Sequence, residues 1–204
     1  MSGGMRGEEA RAAARLAELT LRVERLLAAV YGAYAFFAFG MGVTASLLLS
    51  LGLVQAGIAG YGIVWVFVAF GLLAAMVLVR EVVGPIQRYL ALRGYSDEGR
   101  SPLLMVAVFT VLMTAGYAII YFVEPRLMPV AWYPSLAAIM LAFSLLCERG
   151  SDCRLSFLAS SLVMTAAMPL VLYYNSNLLA TGFMTLSHLA AGSLLLYRAS
   201  RTLG

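Results

Sequence analysis

Apolar and polar positions alternate along this chain on the scale of whole helices. Six apolar runs fall at about 26–53, 61–79, 102–123, 128–147, 155–174 and 178–197, separated by short polar breaks. A run of about 20 apolar residues rises ~30 Å as a helix, the depth of a bilayer's hydrocarbon core. The pattern predicts an all-α, polytopic membrane helix bundle with six transmembrane helices, residues 26–204 forming one membrane domain.

Ahead of the first run, residues 7–27 read as an amphipathic helix. Ala12, Leu16, Leu19, Val23, Leu26 and Val30 are spaced 4-3-4-3-4, the a/d pattern of a heptad. Glu18 and Arg22 form an i,i+4 pair opposite that seam. No glycine or proline separates the seam from the first span. One long helix is therefore expected, its first 25 residues cytoplasmic and continuous with the first span. The seam, with Leu16, Leu19 and Val23 at its centre, is a docking face for a twin, for the bundle itself or for lipid headgroups. These 25 residues hold four glutamates and no apolar core, so they do not read as a cleavable leader.

Prolines and small residues punctuate the rest. Pro85 opens a short helix predicted over 85–92, with Ile86, Tyr89 and Leu90 as its apolar face and Arg88 and Arg93 as its rim. Gly94 and residues 96–99 break it, and Ser101-Pro102 caps the third span. Pro129 opens the fourth span, Pro134 is expected to kink its outer third, and Pro169 lies in the outer third of the fifth. Residues 175–177, Asn-Ser-Asn, make a tight outer turn. Ala28, Gly32, Gly40 and Thr44 form a stripe of small residues along the first span, interrupted by Phe36, the pattern that lets helices approach closely. Thr44, Thr114 and Thr165 are the central residues of similar triplets (43–45, 113–115 and 164–166) in the first helix of each hairpin, which raises a threefold repeat of hairpins.

Charge sets the orientation. All 14 basic residues are arginine, and Arg126 is the one that falls on the far side of the runs. The other 13 lie at the N-terminal helix, the two longer loops and the C-terminal end. By the positive-inside rule both termini are cytoplasmic and the protein is integral to the cytoplasmic (plasma) membrane. The chain is 62% hydrophobic and only 12% charged, so its principal partner is the lipid bilayer. The arginines flank helix ends instead of clustering on one polar face, which argues against nucleic acid. Homo- or hetero-oligomers are expected through the small-residue stripes and the heptad seam. Cys147 and Cys153 lie on the inner, reducing side and are expected as free thiols.

The chemistry visible is sparse. No Asp, Glu or Arg lies deep in a span, which argues against proton- or sodium-coupled transport. No carboxylate pair, metalloprotease helix, nucleophile elbow or phosphate loop is present. Ser187 and His188 are neighbours about 100° apart on a helix and are not expected to meet as nucleophile and base. His188, the single histidine, is expected to bond a hydroxyl on the facing helix, with Ser160, Ser161 and Thr165 as candidates. The alternative is a Cu(I) site. Met164 and Met168 share one face of the fifth span, Met184 and His188 one face of the sixth, and thioether with imidazole suits Cu(I). Counting depth from the turn sets Met168 level with Met184, and Met164 with His188. The M-x3-M spacing resembles that of copper-transporter helices. Tyr117, Tyr121, Trp132, Tyr133, Tyr173 and Tyr174 are expected as an outer aromatic belt, with a crevice between Pro134 and Pro169 as the alternative. No cofactor is otherwise expected.

The chain thus reads as a non-enzymatic multi-pass membrane protein, an accessory or structural subunit or a transport component. In layout it resembles the small permeases of ATP-driven exporters. That resemblance implies an ATPase docked on the 80–101 loop through Ile86, Arg88 and Tyr89.

Overall fold

The computed structural model describes the backbone of residues 2–58, 60, 62–92 and 102–201. The predicted breaks at Gly94 and 96–99 and the cap at Ser101 lie outside the described residues, as does the side chain of Ile86. The structure is all-helical: 92% of it is helix, with no strand among the described residues. The elements are α1 (Ser2–Gln55), α2 (Gly62–Leu92), α3 (Pro102–Val123), a 3-10 segment (Pro125–Val130), α4 (Trp132–Leu146), α5 (Asp152–Tyr174) and α6 (Asn177–Arg201). Among the described residues four helices are long and apolar enough to cross a membrane, lying in α1, α3, α5 and α6.

α1 is the expected continuous helix. Its 54 residues extend about 81 Å at 1.5 Å each. Two other elements depart from expectation. The helix predicted over 85–92 is not separate, because α2 runs unbroken through Arg80 to Leu92 with Pro85 inside it. Residues 80–83 carry no helix breaker, and proline removes a single intrahelical hydrogen bond. The fourth predicted span, 128–147, is not one continuous helix. Its outer part is the 3-10 segment, and α4 itself has 15 residues. Pro134 therefore falls in the first turn of α4, where a missing N–H costs nothing, and not in a helix interior.

The helices pack in the order α2–α1–α6–α5–α4–α3, and no substantial contact joins α2 to α3 among the described residues. The arrangement is an open row with α2 and α3 at its edges. α3 buries none of its apolar window. The core lies between the 3-10 segment, α4, α5 and α6, where Val130, Tyr133, Ala137, Met140, Met164, Val171, Ala180 and Met184 form one buried cluster.

Close approach is set by residues without bulk. A Cβ on Gly40 would lie 2.8 Å from Cβ of His188, and one on Gly32 would lie 3.0 Å from Leu195. Gly192 faces the Phe37 ring, Gly71 faces Ser46, and Gly116 faces Ser135. Gly32, Gly40 and Thr44 of the first-span stripe thus pack inside the chain, against α6, while Ala28 is exposed. The threefold repeat finds no support in these environments: Thr44 contacts Thr185, whereas Thr114 and Thr165 are exposed.

Candidate functional site

Two regions bear on function: the polar and thioether core between α4, α5 and α6, and the N-terminal third of α1. In the core, Ser160 of α5 donates to Ser187 of α6 at 3.1 Å. For antiparallel helices this contact fixes the register, setting Met164 opposite residues 183–184 and His188 opposite Ser160. The register counted from the turn is therefore wrong by about one helical turn. Asn175 adopts the left-handed conformation (φ 45°) and Asn177 already begins α6, so the turn residues do not define equal depth.

Met164 and Met184 consequently share the buried cluster, with Met168 packed against it. Met140 joins them from α4, a fourth thioether that spacing on α5 and α6 alone did not reveal. His188 lies a turn further inward. Its Nδ1 lies 2.8 Å from the Met184 carbonyl, which can only accept, so Nδ1 carries a proton. The Phe36 ring centroid is 5.9 Å away. Among the described residues, the expected bond from His188 to a hydroxyl of the facing helix is not made. Its polar partners are on its own helix, and Ser160 reaches Ser187 instead.

Ser187 and His188 do touch, at 3.3 Å between Oγ and Nδ1, contrary to expectation. Both side chains fold back to the Met184 carbonyl, to which Ser187 donates at 2.7 Å. With both protons committed to one carbonyl, Nδ1 has no lone pair to take the serine proton, and no nucleophile–base pair results. Among the described residues no three His, Cys, Asp or Glu side chains gather, so a metal here would depend on the thioethers and the one imidazole.

The outer end is tied by polar side chains. Trp132 donates from Nε1 to Oδ1 of Asn177 at 2.9 Å, and Asn175 donates from Nδ2 to the Arg126 carbonyl at 2.8 Å. Tyr133, expected in the aromatic belt, is fully buried, and its hydroxyl donates to the Met164 carbonyl at 3.1 Å. Tyr121, Tyr173 and Tyr174 are exposed, as a belt requires.

The opposite end of the bundle gathers α5's start and α6's end. Arg198 lies 3.0 Å from Asp152, a charge contact without the alignment of a hydrogen bond. Cys147 and Cys153, expected as free thiols, are joined in a disulfide. Cys147 is extended, Gly150 has φ +83° and Ser151 caps α5, which brings the two Cα atoms to 6.0 Å, within bridging range.

The N-terminal third of α1 differs from everything above. All of residues 11–19 are exposed, and the seam positions Leu16, Leu19 and Val23 are 69%, 59% and 51% exposed. Glu24, at the point where α1 meets its neighbours, is the one buried carboxylate among the described residues. Arg88 and Tyr89 are exposed near the C-terminal end of α2. Comparison of the chain with protein families, with curated proteins and with solved structures finds no match.

Proposed function

We propose that this chain is a non-catalytic, six-span membrane protein of the plasma membrane, with both termini in the cytoplasm, acting as an assembly subunit. The observation that carries this reading is α1. Its membrane half is locked to α6 through Gly32, Gly40 and Thr44, while its first third extends the same helix with an apolar seam uncovered. An isolated helix of ~20 residues is marginal in water, so a seam of leucine and valine on it is kept for a partner. The site lacks the features of an enzyme: no paired acid and base, and the one Ser–His contact is spent on a carbonyl. The test is isolation in native lipid discs, comparing the intact chain with Leu16→Arg plus Leu19→Arg. The reading expects a higher-order species that the double variant loses. A monomer in both preparations contradicts it, and a retained ATPase released by altering Arg88 and Tyr89 moves the assignment to a permease.

A second reading, Cu(I) handling, is favoured by the meeting of Met140, Met164, Met168 and Met184 in one dry cluster with His188 a turn away. It expects Cu(I) to raise the melting temperature of the purified chain and Met164→Leu plus His188→Ala to abolish that shift. An unchanged shift in the variant removes it.

A further inference from the structure

We propose that the seam of α1 is filled by α1 of a second copy, forming a parallel two-stranded coiled coil over residues 12–30. This names the partner of the assembly reading above and rests on it. The identities at the seam specify the pairing. Leu16, Val23 and Val30 occupy the a positions, and Ala12, Leu19 and Leu26 the d positions. β-branched Val23 and Val30 at a with Leu19 and Leu26 at d are the combination that selects parallel dimers, while Leu16 and Ala12 extend the apolar seam without that preference.

Membrane insertion supplies the rest of the geometry. Two copies in one bilayer share direction and depth, so their first helices are parallel and in register before they touch. The antiparallel arrangement is unreachable, and the shared membrane raises the effective concentration that a three-heptad seam needs. The flanking charges do not oppose the pairing. Arg15 and Arg22 at g face Thr20 and Leu27 at e of the twin, and Arg22 is held by Glu18 of its own helix at 2.9 Å. The seam is uncovered at Leu16, Leu19 and Val23 and, past the half-buried Leu26, again at Val30, which is 43% exposed, and the outward face continues through Met41, Leu48 and Leu49. A helix lying along the headgroups would need a bend near residues 24–30, and α1 has neither glycine nor proline there.

The test is crosslinking in native membranes. In a Cys147→Ser, Cys153→Ser background, single cysteines replace Leu16, Leu19 or Val23 on the seam, and Glu18, Leu21 or Arg25 off it. A short bismaleimide is expected to give adducts of twice the chain mass from the seam positions in at least about ten-fold higher yield than from the others. All six positions are exposed or half-exposed to at least one side of α1, so the substitutions leave the membrane core untouched. Equal yields at all six overturn the proposal, as does the absence of any adduct of twice the mass. Seam-confined adducts to a chain of different mass overturn the twin while leaving the assembly reading standing. No adduct of any kind from the seam removes both.

Discussion

Between residues 32 and 44, α1 offers Gly32, Phe36, Gly40 and Thr44 to α6 and receives Leu195, His188 and Thr185 in return. Between residues 12 and 23 the same helix offers Ala12, Leu16, Leu19 and Val23, and no side chain of the described chain covers them. Both stripes sit on one continuous helix, yet one is closed by the fold and the other is not. The difference lies in residue size. Glycine and threonine form a surface with no hydrophobic driving force in lipid, so they are useful only when a helix packs directly on them. Leucine and valine at heptad spacing gain most from leaving water. Each half carries the residues that its own solvent makes cohesive.

The largest effect that probes this contrast is all-or-none. After treatment with a permeant reductant, Cys147 and Cys153 should stay unmodified by an impermeant maleimide in intact cells and take two adducts per chain in inside-out vesicles. Modification in intact cells would put the open half of α1 outside. Next in size is overpacking of the closed half. Gly40→Leu should cost about 1–3 kcal/mol in detergent unfolding, because its Cβ meets that of His188. Leu19→Ala should leave the unfolding of the isolated chain within about 0.5 kcal/mol. Equal losses from the two would erase the distinction. Trp132→Phe, which frees Asn177 from the outer clasp, should cost about 1 kcal/mol by the same assay. Ser160→Ala should cost about 0.6 kcal/mol, the usual worth of an interhelical hydroxyl bond in a membrane protein. Smallest is Glu18→Ala, at about 0.3 kcal/mol of helix stability, since the pair with Arg22 is solvent-exposed.

Much of the architecture was legible in the sequence. The all-helical class, the continuity of α1 and the small-residue stripe followed from runs of apolar residues, the lack of a breaker near residue 26 and the spacing of Gly32, Gly40 and Thr44. These are properties of single helices, which local pattern records. The misreadings concern where helices end and how they meet. Pro85 looked like a start but is tolerated inside α2, and Pro129 looked like a helix start but lies in a 3-10 segment. A proline constrains its own φ and one hydrogen bond, and the surrounding packing decides whether the helix goes on. The α5–α6 register depends on the left-handed Asn175 and on the tilt between helices, neither of which residue counting contains. Met140 and Tyr133 belong to the core because α4 packs on α5, a long-range fact with no sequence period to announce it. The disulfide joining Cys147 and Cys153 turns on Gly150 and the Ser151 cap folding the loop back, whereas the expected thiols rested on compartment alone.

The proposed assembly requires α1 to be one rod that carries its open seam straight out of the membrane. Spin labels at Leu16→Cys and Leu49→Cys, both exposed positions, measure this directly in a Cys147→Ser, Cys153→Ser background diluted with unlabelled chain. Thirty-three residues of unbroken helix separate the labels by about 50 Å, which is the distance a pulsed dipolar measurement should return. A distance near ~38 Å, as for a helix turned at a right angle near residue 25 to lie along the headgroups, would contradict it.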